Sequence, residues 1–364
     1  MLGLRSALLV LLTIPGALGM APASEPPLRI AVIGLVHGHV EGVLWAARER
    51  SDIEIVGVYD PDRSLFDKFK GKYRLDEALY FDDLDRMLDE TKPEAASVMT
   101  SVADHLRVFE ACAPRGVPVL LEKPLAFSKA DAAEIERLAH EHGVLVLTNY
   151  ETSWYASVRT AARMAAETGP ITRAVFRHGH KGPKEIGCSA EFLAWLTDPA
   201  RNGGGAIVDF GCYGANIMTW LMDGRMPDTV VATTNQIKPG LYPDVDDDAT
   251  ITLIYDGAAT AVLQASWAWT HDNKEMDLHT PGGSYHAAKW EHLTVRKPDA
   301  DAVVTKTDER PEWLANEWTY LRRVVRGECA VDPLSSLENN VIVARILDAA
   351  RESARTGRAV RLSD

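Results

Sequence analysis

From Leu28 to Asn149, short and nearly unbroken apolar runs alternate with stretches in which apolar residues recur every three or four positions. Leu28-Arg29-Ile30-Ala31-Val32-Ile33 is one such run and stops at Gly34; Val40 to Arg50 has helical spacing; Ile53 to Tyr59 is a second run and stops at Asp60. The pattern continues with a helix around Leu84 to Asp89, a strand Ala95 to Thr100 and a helix Ala103 to Ala113. A strand Val117 to Leu121, a helix Lys129 to His142 and a strand Val144 to Asn149 complete it. Strands alternating with helices at this spacing predict an α/β unit built on a parallel, doubly wound sheet.

Strand, glycine turn, helix, strand and terminal acid make up a dinucleotide-binding βαβ unit. The glycine code is imperfect. Gly34-Leu35-Val36-His37-Gly38-His39 keeps the first glycine but has Val36 where the pattern has its second, with Gly38 one place early. Asp60 is placed to accept from a ribose 2′-hydroxyl and to repel a 2′-phosphate, which favours NAD, while Arg63 keeps NADP open. Asp60 could equally cap the helix after Pro61. Ligands of such sheets sit beyond the strand carboxyl ends, here Gly34, Asp60, Thr100, Ser101, Glu122, Lys123 and Asn149.

Beyond Tyr150 the texture changes. Strand-like runs begin near Ala174, Val230, Ala249 and Thr260 with few helices between them, which predicts an α+β unit with an open, mostly antiparallel sheet. Gly203-Gly204-Gly205 precedes a helix-like run from Ala206 to Met222; three glycines let the backbone approach a ligand closely. Asp209 and Tyr213 stand four apart, so on one helix they share a face. A terminal helix from about Glu338 to Thr356 is expected to return to the first unit. The expected organisation is a dinucleotide-binding unit over 27–149, a substrate and oligomerisation unit over 150–337, and a helix and tail over 338–364.

The first residues change where this chemistry is expected to operate. Arg5, the apolar run Ala7 to Ile14, and small residues at Ala17 and Gly19 or Ala21 and Ala23 have the layout of a cleaved secretory signal over residues 1–23. The run is short for a permanent anchor, a retained tether being the alternative. No Arg-Arg pair precedes it, so export of the Sec type to the periplasm or beyond is expected, with the cofactor acquired afterwards. Removing the signal removes only Arg5 and takes the formal charge from -13 to -14, which disfavours nucleic acid and anionic membranes as partners. Cys112, Cys188, Cys212 and Cys329 are scattered without metal-ligand spacing and read as free thiols.

On Glu122-Lys123-Pro124, His105 upstream of it, the Gly203-Gly204-Gly205…Asp209…Tyr213 segment and the ending Ser353 to Val360, the chain resembles the Gfo/Idh/MocA oxidoreductases from about Leu28 to Leu362. The resemblance implies that Lys123 lies by the nicotinamide and contacts the substrate hydroxyl. It also implies a dinucleotide held by Gly34, Val36, His37, Gly38, Asp60, Thr100, Ser101, His105, Glu122, Lys123 and Asn149. An ammonium there would stabilise a developing alkoxide, whereas a purely structural Lys123 would pair with Glu122 or a surface acid. Where the family usually has a proton-accepting histidine, this chain has Tyr213, as in the glucose-fructose oxidoreductase branch. A tyrosine, with a pKa of about 10, is a base only if a cation favours its phenolate, a role open to Lys123, with Asp209 orienting the lysine or a sugar hydroxyl. Tyr213 packed in the core is the competing reading.

Trp154 and Tyr155 offer flat faces that stack on sugar C–H surfaces, core packing being as good a reading of either. His178 and His180 with Lys181 suggest a polar substrate loop better than a metal pair, since no third ligand has a recognisable spacing. Asp244, Asp246, Asp247 and Asp248 lack the glycine and glutamate of an EF loop and read as an acidic turn; no metal is expected. The function expected is an NAD(P)-dependent oxidoreductase, a dimer or tetramer, acting on a hydroxyl of a sugar, sugar derivative or cyclitol. Outside the cytoplasm it would need a tightly held cofactor reoxidised within each cycle. A redox-neutral glycoside hydrolase or lyase working through a transient 3-keto sugar is the alternative, and a non-catalytic carbohydrate sensor the third.

Overall fold

In a computed structural model of the chain, residues 26–362 are described, and the secretory segment expected over 1–23 lies outside them. Six strands, β1 (Leu28–Ile33), β2 (Ile53–Tyr59), β3 (Tyr80–Phe81), β4 (Ala95–Val98), β5 (Val119–Glu122) and β6 (Val146–Asn149), form a parallel sheet in the order β3-β2-β1-β4-β5-β6. Successive side chains of β1 alternate between faces. Leu28, Ile30 and Val32 pack with Val40, Val43, Leu44 and Phe66, and Ala31 and Ile33 pack with Val108, Phe109 and Ile135. Helices therefore cover both faces, and the strand order reverses between β1 and β4, where such sheets open a crevice. The helix Lys129–His142 has the bounds expected from sequence: the Ser128 hydroxyl accepts from the Asp131 N–H, and Gly143 ends it at φ 64°.

Nine further strands, β7 (Arg173–Gly179), β8 (Thr229–Asn235), β9 (Asp248–Tyr255), β10 (Ala259–Ser266), β11 (Asn273–Thr280), β12 (Gly283–Ala288), β13 (His292–Arg296), β14 (Val303–Thr305) and β15 (Val360–Arg361), form the second sheet. Its order is β14-β13-β12-β11-β7-β10-β9-β8-β15, antiparallel except where β10 runs parallel to β7. The terminal helix, Leu337–Thr356, joins the two layers: Leu337 and Ala344 pack with the parallel sheet, and Val343, Ile346 and Leu347 with the second.

Two expectations are corrected here. The run from Ala206 is two helices, Ala206–Asp209 and Gly211–Leu221, broken at Phe210 (φ -107°, ψ -27°). Asp209 ends the first and Tyr213 lies in the first turn of the second, so they share no helical face. The three glycines serve internal packing rather than a ligand: a β-carbon on Gly203 would strike the Arg351 guanidinium, and one on Gly205 would overlap the Asp246 carbonyl oxygen. Asp246 belongs to the expected acidic turn, and its carboxylate is built in, accepting from the N–H groups of Gly205 (2.8 Å) and Ile207 (2.7 Å). Asp247 likewise accepts from Ile237 (2.7 Å) and Lys238 (2.6 Å). Asp246→Ala strands two donors and is expected to lower stability by about 1–3 kcal/mol, read as a lower urea midpoint. All four cysteines are free thiols.

Candidate active site

The carboxyl ends of β1 and β5 meet the start of Gly211–Leu221, the carboxyl end of β7 and the start of β11 around a cavity of about 320 Å³. Lys123, Asp209, Tyr213, His180, Lys274, Glu151 and His39 line it, with Phe210, Phe192, Leu196 and Ile186 as apolar wall. Asp209 and Tyr213, although on separate helices, thus reach the same space.

Lys123 and Asp209 form an ion pair whose side chains are 10% and 7% exposed, and the ammonium also donates to the Asp209 carbonyl (3.2 Å). The other carboxylate oxygen of Asp209 accepts from the Trp267 indole N–H (2.8 Å). Burial opposes both charges, yet each partner outweighs it: Lys123 is held above its ordinary value and Asp209 below. Lys123 is therefore a fixed cation.

The phenolate expected for Tyr213 is not supported by this arrangement. The Lys123 ammonium lies over the ring face, 5.3 Å from its centroid, and burial, then Glu151, push the phenol well above its ordinary value. A second lysine missed by sequence reading, Lys274, lies 6.0 Å from the same centroid and pairs with Glu151 (2.9 Å) and Asp272 (3.2 Å). His178 is buried, its imidazole driven down to about 3 by burial and by Lys274, and stands edge-on to Tyr213. His180 lines the cavity; its Nδ1 accepts from the Gly182 N–H (2.9 Å), which leaves the proton on Nε2.

On the nucleotide side, Gly34 (φ 86°) brings the β1 turn so close to β4 that a β-carbon would meet the Thr100 methyl at 2.6 Å. Glu122 is buried; its Oε1 faces His39 Nδ1 (3.0 Å) and accepts from Asn149 (3.2 Å). Its Oε2 and His37 Nε2 are 3.9 Å apart, both buried without a hydrogen-bond partner. His37, His39 and Glu122 could surround a cation. Against that, the His39 N–H donates to His37 Nδ1 (3.1 Å), so Nε2 carries the proton and offers no lone pair to a metal. One donor and one acceptor at this separation suit a hydroxyl, such as a ribose of a nicotinamide nucleotide. The residues therefore fit that cofactor, which Gly34, Thr100, Glu122 and Asn149 would hold.

Several assignments move. Asp60 is 3% exposed, and its two oxygens accept from Leu35 (2.7 Å) and Asp62 (2.8 Å), so it ties the β1 turn to β2 instead of standing open to a ribose. His105 is fully buried and bonds the Leu125 carbonyl (3.1 Å), bracing the segment behind Lys123 from outside the rim. Ser101 donates to Asp104 (2.6 Å) and accepts from Arg201 (3.1 Å). Val36 offers its carbonyl to the Trp195 indole (3.3 Å), and His37 and Gly38 lie under Phe192. Trp154 lines a neighbouring cavity with Trp290, Trp318 and Glu317, none of which the sequence singled out; Tyr155 instead donates to Glu151 (2.5 Å). Lys181 is exposed, and its carbonyl accepts from Lys238.

Among curated proteins, the chain is 28% identical to a D-xylose 1-dehydrogenase (NADP(+)) of Haloferax volcanii over 71% of its own length and 77% of that protein. It is 24% identical to a 2,7-anhydro-N-acetylneuraminate hydratase of Mediterraneibacter gnavus, covering 87% and 92%. An inositol dehydrogenase homolog from Azotobacter vinelandii, solved with NAD+, superposes with a TM-score of 0.79 at 19% identity, over 93% of this chain and 98% of that one. At that identity the superposition establishes the fold. Among the described residues no helix is long and apolar enough to cross a membrane. Residues 28–150 match the oxidoreductase family with an NAD-binding Rossmann fold and residues 158–286 the GFO/IDH/MocA C-terminal domain, so the chain is a Gfo/Idh/MocA oxidoreductase.

Proposed function

We propose that the protein oxidises a hydroxyl of a sugar, sugar derivative or cyclitol with an NAD it holds tightly, outside the cytoplasm. The observation that carries this reading is the buried Lys123–Asp209 pair in the cavity where the two sheets meet. Bound there, the dinucleotide supplies a hydride acceptor. Lys123 then stabilises negative charge on the substrate oxygen, and Asp209 keeps the ammonium charged and aimed. The xylose dehydrogenase and the inositol dehydrogenase homolog support a sugar or cyclitol substrate.

NAD rather than NADP belongs to the same proposal: Arg63, the first cation after β2, is engaged by Asp67 (3.0 Å) and Glu77. Tight binding is supported by a strap over the β1 turn. Trp195 and Phe192 lie on it, Arg201 grips Asp104 (2.9 Å), and Glu191 pairs with Lys68. A homo-oligomer through the open sheet face belongs to the same reading.

The hydratase relative favours a second reading, in which oxidation is transient and a glycoside is cleaved without net redox change. Denaturing the purified protein is expected to release NAD or NADH in about equimolar amount. Incubation with aldoses, cyclitols and glycosides and no added nucleotide separates the two: hydride exchange between sugars supports the first, aglycone release the second. A protein free of nucleotide that also fails to bind added NAD overturns both, and retention of the protein in the cytoplasmic fraction overturns export.

A further inference from the structure

The reaction needs a group that takes the hydroxyl proton, and the residues expected to do so are unsuited to it. Lys123 is a paired cation, Tyr213 is a phenol held protonated, and His180 presents an N–H, its lone-pair nitrogen being occupied by the Gly182 N–H. Asp209 is bonded at both oxygens. Glu151 is bonded at both oxygens too, by Tyr155 and Lys274.

One side chain in the cavity has a different geometry. His39 stands before the helix Val40–Glu49 and makes no capping bond with its side chain, which is 57% exposed. Its Nδ1 faces the buried carboxylate of Glu122 at 3.0 Å, and Glu122 is itself fixed by Asn149, which accepts from the Trp154 indole (3.3 Å). Its Nε2 makes no hydrogen bond among the described residues. The imidazole lines both the catalytic cavity and the neighbouring tryptophan-walled one. A buried acid orienting one nitrogen of an imidazole that lines a reaction space is the arrangement of a general base.

We infer that His39, oriented by Glu122, is the proton acceptor of this enzyme. The inference rests on the oxidoreductase reading above. The substrate O–H bond breaks with its proton passing to His39 Nε2, the C–H electron pair leaves as hydride to the oxidised dinucleotide, and the carbon–oxygen double bond forms. In the reverse direction the imidazolium returns the proton. The charges facing His39 are Glu122 at the end of β5, Lys123 just beyond it, Glu151 from the turn after β6, Glu317 from the helix Glu317–Val325, and His37 from its own turn. Glu122 dominates and raises the imidazole above 6.5, while Glu122 itself is held ionised against burial by His39 and His37.

A base works unprotonated, so activity should rise with pH through the raised value of His39. His39→Gln is expected to keep its bound nucleotide and its fold, lose about 10²–10⁴-fold in kcat and lose that acidic limb. His39→Ala should regain part of the rate with added imidazole. Glu122→Gln removes the carboxylate that raises His39, so the limb should move to lower pH. The imidazole titration followed by NMR in the absence of substrate should move the same way. A His39→Gln enzyme within about threefold of wild type, with its limb intact, overturns the inference while leaving the oxidoreductase reading standing. A wild-type protein without hydride transfer to any sugar or cyclitol overturns both.

Discussion

Lys123→Ala is expected to lower kcat by about 10²–10³-fold or more while the protein still binds its nucleotide, as read by nucleotide content after denaturation. Among the described residues the ammonium is the one cation bonded to Asp209, and removing it also leaves a 7%-exposed carboxylate without that partner. Breaking a buried pair in this way costs about 3–5 kcal/mol, so the variant should be less stable as well as inactive. The pH dependence separates the two effects. In the wild type Asp209 is held below its ordinary 3.8, so its contribution to stability is present above that pH and is lost as pH falls through the depressed value. Without Lys123 the remaining dominant influence is burial, which raises the carboxyl. Stability of the variant should then fall as pH rises from about 4 toward neutrality. Adding Asp209→Asn should restore most of the stability and none of the turnover. A double variant that regains activity would remove Lys123 from the chemistry.

How much of this was legible in sequence depended on whether a residue's role was local. The parallel sheet could be read because strands such as Leu28–Ile33 are apolar on both faces and end at glycine or acid, and the helix Lys129–His142 because Ser128 and Gly143 mark its ends. In β11, Asn273-Lys274-Glu275-Met276-Asp277 carries charges on both faces because Lys274 turns into the active site, so the alternation that would mark a strand is erased there. The same physics hid Glu151, whose partners Lys274 and Tyr155 lie on separate elements. Lys123 and Asp209 were found as candidates because residue type and motif single them out, but their pairing across 86 positions was not. Asp60 was hard to place for a related reason: a carboxylate at the end of β2 suits a ribose and a backbone N–H equally, and only the structure shows that it bonds the Leu35 N–H. The glycine triplet reads as a ligand-approach motif, yet what crowds it, Asp246 and Arg351, is distant in sequence.

That crowding yields the second large effect. Gly205→Ala is expected to destabilise the protein by more than about 3 kcal/mol, lowering Tm by about 6 °C or more or preventing soluble accumulation. The added β-carbon would occupy the position of the Asp246 carbonyl oxygen, which is backbone and cannot swing aside as a side chain would. The Asp246 oxygen also accepts from the Ala206 N–H (3.1 Å), so any shift that relieves the overlap loosens the start of Ala206–Asp209. That helix is four residues long and delivers Asp209 to Lys123, which couples the stability loss to catalysis. A displacement of about 1 Å at a catalytic group can cost about 10²-fold in rate, so molecules that do fold should also turn over slowly. Gly240→Ala is the control: a β-carbon there meets nothing within 4 Å, and Tm and kcat should be unchanged. If Gly205→Ala instead melts and turns over as the wild type does, the Asp246 contact does not set the entry of this helix, and the placement of Asp209 must be ascribed to the Trp267 and Lys123 bonds alone.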